Sequence, residues 1–248
     1  MIKLDLKDRK LLYWLDQNSR STNKELGKKV GLTEQAIGYR IKRLQENGII
    51  KNFVTFLNTL QLGYKHYKVF IRLHNTTDEI EAQMIHDLVE NKNIRWVVAT
   101  SGKYDMSFSV LAQTEVDFIK VYRPIENRYS SYIFERNIAI PVDSLGYTRE
   151  YLIDGESSKA LEYKIPKDAV KIDATDEKIL KSISQDARKN IVSIAEEVDS
   201  TIDIVKYRLK KLQKNKIING FTLQIDLEKL GYEYYTLFFY MHNITEEV

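Results

Sequence analysis

The sequence contains no cysteine, and only 3 prolines and 10 glycines are spread over its 248 residues. The absence of cysteine excludes disulfide scaffolds, thiolate metal sites and cysteine nucleophiles. The scarcity of proline and glycine excludes collagen-like and linker-dominated chains. The N-terminus lacks the apolar core of a signal peptide, and no stretch reaches the roughly 18 apolar residues of a membrane span. We therefore expect a cytoplasmic protein without a membrane partner.

Catalytic and metal-binding patterns are also missing. The 4 histidines show no metal-ligand spacing, and neither a glycine-rich phosphate loop nor a serine nucleophile elbow occurs. The sequence therefore predicts no metal, no cofactor and no catalytic residue. In contrast, 43% hydrophobic and 29% charged residues suffice for two or three folded domains. Positive charge is concentrated at the front, where residues 1–60 carry 12 basic and 6 acidic side chains, a net charge of +6.

The chain repeats itself with a period of 168 residues. Residues 4–80 and 172–248 align without a gap and share 26 identities in 77 positions, which indicates a duplicated unit. The identities include the charged pairs Asp8/Asp176 and Arg40/Arg208 and the aromatic pair Tyr39/Tyr207. The chain thus holds one complete unit and the beginning of a second.

The opening of each unit has the apolar spacing of three short helices. Gly31 permits a turn between the second and third helices, and Thr33 is a suitable N-cap for the third. This pattern is typical of a helix-turn-helix, and residues 49–56 indicate a β-ribbon that would make the unit winged. Residues 66–141 follow the order β-α-β-β-α-β of a ferredoxin-like domain. We expect its second helix, at about 115–131, to kink or restart at Pro124.

These segments predict an α+β fold: a winged helix-turn-helix plus a ferredoxin-like domain, then a second winged helix-turn-helix and an opening strand. The predicted parts are 1–60 (first winged helix-turn-helix), 61–146 (ferredoxin-like domain), 147–170 (linker), 171–228 (second winged helix-turn-helix) and 229–248 (incomplete start of a second ferredoxin-like domain).

The predicted opening strand of the second ferredoxin-like domain, Tyr234–Met241, would leave backbone groups unpaired along both edges. We therefore expect one of two outcomes. Either the natural chain continues to about 336 residues, twice the 168-residue period, or the strand docks on a sheet of the first unit or of a neighbouring chain.

The order of these domains resembles that of the Lrp/AsnC (feast/famine) family of transcription regulators. The segments LDLKDRKLLYWL, LGKKVGLTEQAIGYRIKRLQENGII and VVATSGKYDMSFSVLA are similar to the family's motifs and follow in the family's order. The chain departs from the usual single unit by being a tandem. The resemblance implies binding to double-stranded DNA, a homo-oligomer (dimer or higher) joined through ferredoxin-like domains, and an effector site beside the turn at 100–105.

DNA binding requires a helix that enters the major groove while cationic side chains contact flanking phosphates. In the first winged helix-turn-helix, Gln35 is the candidate for reading a base edge, and the cations are candidates for phosphate contacts. An alternative is a lysine-rich winged helix used for protein contacts. The predicted DNA-binding residues are Thr33, Gln35, Gly38, Tyr39, Arg40, Lys42 and Arg43.

The second recognition helix has a different outward face. Residues 201–219 carry 6 basic and 1 acidic side chains (+5), against 4 and 2 (+2) in residues 33–51. Acidic residues at 196–199 replace the lysines at 28–29, so we expect the first unit to dominate DNA affinity. The second either reads a different half-site or has become an interaction module. Its predicted DNA-binding residues are Thr201, Lys206, Tyr207, Arg208, Lys210 and Lys211.

The turn at 100–105 is the predicted effector site. Ser101 and the amides around Gly102 and Tyr104 could hold the carboxylate of an amino acid, while Asp105 holds its ammonium group. Alternatively, Gly102 only supplies the positive φ of a turn, and Asp105 only caps or pairs with a neighbour.

The predicted function is a DNA-binding transcription regulator, and we expect an amino acid or a related effector to modulate it. One alternative is an architectural, DNA-compacting protein without an effector. Another is an enzyme similar to the siroheme decarboxylases, which share this architecture and would need buried cations around a tetrapyrrole.

Overall fold

The computed structural model describes residues 4–147, 149–153, 161–184, 186–240 and 242. The first winged helix-turn-helix, here called head 1, contains three capped helices. The hydroxyl of Thr33 accepts a hydrogen bond from the backbone N–H of Ala36 at 3.2 Å, and Gly31 ends the second helix with a φ of 72°. The predicted turn and N-cap are therefore confirmed. The helices are α1 (Leu6–Gln17), α2 (Asn23–Val30) and α3 (Glu34–Glu46).

The second winged helix-turn-helix, here called head 2, repeats this arrangement. It keeps the same backbone where its sequence differs, because Asp199 and Lys216 adopt φ values of 52° and 56° at the positions of Gly31 and Gly48. The described residues contain no second copy of the ferredoxin-like sheet. The helices of head 2 are α6 (Ala174–Ser184), α7 (Ile191–Glu197) and α8 (Ile202–Lys214), because α4 and α5 belong to the ferredoxin-like domain that precedes them.

The wing is not a ribbon within one unit, as the sequence had indicated. Instead, β1 (Ile50–Leu57) of head 1 pairs antiparallel with β8 (Ile218–Ile225) of head 2. Phe53 lies opposite Leu223, and Thr55 lies opposite Phe221. Residues 53 and 221, like residues 55 and 223, are separated by the 168-residue period. The register is therefore unchanged when the two strands are exchanged by a two-fold rotation through the pair Val54 and Thr222. The two heads meet as the protomers of a two-fold dimer do.

Hydrogen bonds around the wing repeat the same reciprocity. The Ser19 N–H donates to the Phe221 carbonyl at 2.8 Å, and its equivalent, the Ala187 N–H, donates to the Phe53 carbonyl at 2.8 Å. The guanidinium groups follow the same rule. Arg20 lies 5.3 Å from the centre of the Phe221 ring, while Arg188 lies 5.2 Å from that of Phe53. Each head therefore supplies a backbone acceptor and an aromatic ring to the other.

The two heads share one hydrophobic core rather than two. Helix α1 packs on β8 and α6 packs on β1, so the first helix of each head covers the strand of the other. Leu11, Leu15, Ile179 and Ile183 are fully buried in this core. The predicted domains 1–60 and 171–228 therefore form a single folded unit, although more than 100 residues separate them in sequence.

The ferredoxin-like domain has the predicted β-α-β-β-α-β order. Its sheet has the strand order β3-β4-β2-β5, and two helices pack on one face around Val69, Phe108 and Leu88. Helix α5 runs through Pro124 without interruption, so the expected restart is wrong. The elements are β2 (Lys65–Leu73), α4 (Asp78–Glu90), β3 (Ile94–Ala99), β4 (Met106–Ala112), α5 (Glu115–Arg128) and β5 (Ile133–Ala139).

The segment predicted as a linker, 147–170, has regular structure in its described parts. Strand β6 (Asp143–Gly146) pairs antiparallel with β7 (Leu161–Lys164), and a 3₁₀ turn spans Glu150–Leu152. Leu152 and Ile153 are buried in the core of the heads. Burial of these two side chains explains why the segment does not behave as a simple spacer.

The strand predicted at Tyr234–Met241 is not formed over its described residues, 234–240; Met241 lies outside the described residues. No neighbouring strand supplies backbone partners to it there. The segment instead lies against the first unit, where the Phe238 ring contacts Phe70 at 5.2 Å and Tyr104 at 5.3 Å. The docking of a strand on a sheet, which we expected as one alternative, is not seen in these residues, whose contacts with the first unit are made by side chains.

Phe221→Ala tests the shared core. Phe221 belongs to head 2 but packs between the heads, so we expect its truncation to destabilise head 1 as well, by about 3 kcal/mol. Urea unfolding followed by Trp14 fluorescence, in a Trp96→Phe background, measures the stability of head 1. An unchanged Trp14 transition would contradict a shared core.

Candidate nucleic-acid interface

Helix α3 presents most of the predicted contact residues to solvent. Thr33, Gln35, Tyr39 and Lys42 are exposed, with Tyr39 69% accessible. Gly38 is half-buried, and a Cβ there would lie 3.2 Å from the side-chain amide nitrogen of Asn23. A small residue at this position keeps α2 and α3 close together. The exposed residues lie on the side of α3 opposite the buried Ile37, Ile41 and Leu44.

Two predicted phosphate contacts are already engaged with protein carboxylates. Arg40 donates from Nη1 to Asp5 at 2.8 Å and to Asp8 at 2.7 Å, and Arg43 donates to Asp8 at 2.6 Å. The Asp8 side chain is only 1% exposed, whereas Asp5 is the N-cap of α1. The hydrogen bond to Asp5 raises the pKa of Arg40. Arg40 and Arg43 therefore tie α3 to α1, and a direct phosphate contact would require this cluster to open.

Head 2 repeats the cluster with one cation fewer. Arg208 donates from Nη1 to Asp173 at 2.6 Å and to Asp176 at 2.9 Å. The hydrogen bond from Arg208 lowers the pKa of Asp173. Lys211 takes the place of Arg43, and it forms no ion pair within the described part of the chain. Among the described residues, Arg208 is thus the only cation that pairs with Asp176, which is also 1% exposed.

The exposed side of α8 carries more unpaired cations than that of α3. In α3, Lys42 lies 3.7 Å from Glu46, so its charge is partly balanced. Tyr207 is 68% exposed at the position of Tyr39. Thr201 is exposed at the N-cap of α8. Five lysines on and after α8 are exposed and form no ion pair among the described residues: Lys206, Lys210, Lys211, Lys214 and Lys216.

This distribution differs from what a count of charges suggests. The expectation that head 1 dominates affinity depended on the net charge of +6 over residues 1–60. Two cations of its recognition helix, Arg40 and Arg43, are held by Asp5 and Asp8, while the lysines of α8 stay exposed. The side-chain contacts therefore favour head 2 as the more electropositive recognition surface.

The sequence reasoning missed the two aspartates that hold each recognition helix. A signal was present, because Asp5, Asp8 and Arg40 are all identical in the second unit, where they are Asp173, Asp176 and Arg208. Charged residues that persist together while their exposed neighbours change indicate a shared structural pairing. The exposed lysines Lys214 and Lys216 were also missed, although the charge count of residues 201–219 includes them.

Two of the four residues predicted to bind an effector, Tyr104 and Asp105, make contacts within the protein. The Asp105 carboxylate accepts a hydrogen bond from the Leu73 N–H at 2.7 Å, and Tyr104 is buried beneath Phe238. Ser101 and Gly102 are exposed, and Gly102 has a φ of 129°, which favours glycine. The pairing of Asp105 agrees with the structural alternative. No group of three or more potential metal ligands occurs among the described residues.

No helix in the described part of the chain is both long enough and apolar enough to cross a membrane.

Comparisons with known proteins agree with the two-headed arrangement. The family described as winged helix-turn-helix DNA-binding matches residues 4–51 and again residues 172–219. The HTH-type transcriptional regulator FL11 of Pyrococcus abyssi is 33% identical over 105 residues, which is 42% of this chain and 68% of that protein.

Two solved structures share the fold. The superposition on an AsnC family transcriptional regulator from Agrobacterium tumefaciens covers 59% of this chain and 95% of that regulator's chain, with a TM-score of 0.53 and 24% identity. The superposition on the siroheme decarboxylase NirDL covers 88% of this chain and 65% of the NirDL chain, with a TM-score of 0.58 but only 11% identity. At such identities the likeness shows the fold alone.

The matched segments and the two exposed recognition helices define a winged helix-turn-helix transcription regulator. The chain belongs to the Lrp/AsnC family of these regulators.

Arg208→Ala tests the structural role of the arginine cluster. We expect it to destabilise the protein by about 3 kcal/mol, because it leaves the buried Asp176 without a cation. Arg40→Ala should cost less, since Arg43 still reaches Asp8. Urea denaturation measures both, with the exposed Lys42→Ala as a control that should change stability little. Equal, small effects of both arginine variants would contradict this assignment.

Proposed function

We propose that this regulator reads two unlike half-sites of double-stranded DNA with one chain. The supporting observation is the reciprocal pairing of β1 with β8, which places α3 and α8 in equivalent positions with different exposed residues. Residues at equivalent positions 168 apart can be compared directly. Thr33 and Tyr39 recur as Thr201 and Tyr207, whereas Gln35 is replaced by Asp203.

The differing position determines which base each head prefers. A glutamine can form a pair of hydrogen bonds with adenine in the major groove, while an aspartate accepts a hydrogen bond from the amino group of cytosine. Gln35 and Asp203 are both exposed in the first turn of their helices, where side chains reach base edges. The two half-sites therefore differ in sequence and lie about one helical turn, ~34 Å, apart.

Selection of bound sites from random DNA at a fixed salt concentration tests this proposal. We expect an asymmetric motif, and we expect Asp203→Gln to shift one half of it toward the other half. Gln35→Glu is the matched variant that should change only the other half. A palindromic motif from the unaltered chain would contradict the proposal, and a lack of any enriched motif would favour the architectural, DNA-compacting alternative.

The two heads also contribute unequally to phosphate binding. Lys210 and Lys42 occupy equivalent positions, but Lys42 lies beside Glu46 whereas Lys210 has Lys214 at that place. An unpaired lysine at the edge of the recognition helix releases a counterion when it contacts phosphate. Head 2 thus supplies the larger share of the salt-dependent affinity.

Lys210→Gln and Lys42→Gln form a matched pair for testing this difference. We expect Lys210→Gln to flatten the plot of log affinity against log salt by about 0.9, the change for one phosphate contact, and Lys42→Gln to flatten it less. Fluorescence anisotropy titrations over a series of salt concentrations measure both slopes. A larger change for Lys42→Gln would show that head 1 carries the phosphate contacts.

Assembly and regulation complete the proposal. The face of the ferredoxin-like sheet away from its helices exposes Val98, and β5 exposes Phe134, which suits association with a second copy. We therefore infer a homo-oligomer, whose mass light scattering can measure. An amino-acid effector beside Ser101 and Gly102 stays a prediction, with less support from Asp105 because its carboxylate holds the Leu73 amide. We also place the regulator in the cytoplasm, where prokaryotic DNA lies.

A further inference from the structure

A cavity of about 260 Å³ lies where head 1 meets the ferredoxin-like domain. Phe56 and Asn58, at the end of β1, form one wall, and Lys68, Arg95 and Trp96 on the sheet form another. Tyr163 of β7 closes a third side, with its ring 5.2 Å from that of Phe56. The cavity thus contacts head 1, the sheet of the ferredoxin-like domain and the β6–β7 pair.

The walls of this cavity are basic and aromatic, with no acidic side chain among the described residues that line it. Arg95 is the extra residue of a bulge in β3, since its neighbours Ile94 and Trp96 pair with the consecutive residues Val110 and Ser109. Bulges redirect side chains at binding sites. This bulge brings Arg95 to the cavity beside Lys68.

Among the described residues, no acidic side chain lines the cavity or pairs with Lys68 or Arg95. Burial, together with the charges of Arg95 and Lys68, lowers the pKa of His66 to about 4, so this imidazole is neutral at pH 7. Its Nε2 lies 2.8 Å from the Thr59 hydroxyl. Burial is the larger cause of this shift and opposes a charge of either sign, whereas the smaller contributions of Arg95 and Lys68 favour an anion.

Two buried polar atoms of the residues that line the cavity, Asn58 Oδ1 and the Tyr163 hydroxyl, have no hydrogen-bond partner among the described residues. Asn58 is only 4% exposed, and its Oδ1 accepts no hydrogen bond among the described residues. Buried acceptors of this kind are nearly always satisfied in folded proteins. The equivalent residue in the second unit, Asp226, does have partners, because it pairs with Lys51 at 3.1 Å and accepts from the Lys229 N–H at 3.2 Å. The unsatisfied acceptor is therefore particular to this cavity.

We propose that this hinge cavity binds a small aromatic carboxylate that carries a hydroxyl group. Arg95 and Lys68 hold the carboxylate, the rings of Phe56, Trp96 and Tyr163 enclose the apolar body, and the hydroxyl donates to Asn58 Oδ1. An amino acid fits less well, because none of the described residues that line the cavity offers a carboxylate to receive its ammonium group. This site lies at the end of β3 opposite the turn at 100–105.

Such a ligand would couple the heads to the ferredoxin-like domain. It touches the strand that joins the heads and the sheet of the other domain at once, so its binding restrains their relative orientation. This regulatory effect rests on the proposed DNA-binding function, whereas the binding itself does not.

The probes are 4-hydroxybenzoate, benzoate and 4-hydroxybenzyl alcohol, titrated into the full chain. Trp96 is one of only 2 tryptophans, so the ¹⁵N-labelled Trp14→Phe variant has a single indole N–H signal in the NMR spectrum that reports directly on the cavity. We expect 4-hydroxybenzoate to shift this signal at lower concentration than benzoate, which lacks the hydroxyl, or the alcohol, which lacks the carboxylate. Trp96→Phe, which removes the signal, secures its assignment.

Arg95→Gln should weaken 4-hydroxybenzoate binding at least about tenfold, whereas Lys103→Gln, a cation of the same domain outside the cavity, should not change it. Calorimetry on both variants in the otherwise natural sequence gives the same comparison without the tryptophan substitution. No binding of any carboxylate at millimolar concentration, or equal binding by Arg95→Gln, would overturn the proposal.

DNA titrations with and without 4-hydroxybenzoate separate the two proposals. A change in DNA affinity supports coupling through the hinge. Ligand binding without such a change overturns the coupling but supports the cavity, and absence of DNA binding under all conditions would count against the proposed function alone.

Discussion

The antiparallel pairing of β1 with β8 is the interaction on which the arrangement of the heads depends. Either strand alone would present an unpaired edge, and each head alone would expose the strand that the first helix of the other head covers. Because both strands belong to one chain, their pairing does not depend on protein concentration as it does between separate subunits. The same connection lets the two heads change independently. In a homodimer a substitution alters both recognition helices, whereas here it alters one.

Charge on a recognition helix has two uses that compete for the same residues. Arg40 and Arg208 balance the aspartates at the start of α1 and α6, and this balance is needed because Asp8 and Asp176 are buried. The lysines of α8 pair with no carboxylate among the described residues and stay available to an anionic partner. The number of basic residues in a segment therefore overstates the charge that DNA can meet, and the discrepancy is larger in head 1.

The sequence predicted the features that depend on neighbouring residues. Helices α1 to α3, the N-cap at Thr33 and the turn at Gly31 follow from local spacing and backbone preference, and the order of the ferredoxin-like domain follows from changes of period. The pairing of wings could not be derived in this way, since Val54 and Thr222 are joined by contacts across 168 residues. The arginine positions on α3 were predicted, but not their partners on α1, because helical spacing reveals which residues face outward and not which of them meet a carboxylate.

The internal symmetry is closest at the wing and weakest at the hinge. Asn58 and Asp226 make matching backbone hydrogen bonds, to Ile217 at 2.8 Å and to Ile49 at 2.9 Å, so the main chain obeys the two-fold relation up to this point. Their side chains do not, because Asp226 pairs with Lys51 whereas Asn58 Oδ1, in a residue that lines the cavity, has no partner among the described residues. His66 and Lys68, which line that cavity, have Tyr234 and Thr236 as counterparts. The duplicated chain has thus kept symmetry where the heads must fit each other and lost it where a head meets the rest of the molecule, so any ligand of the hinge acts on one side of the paired heads only.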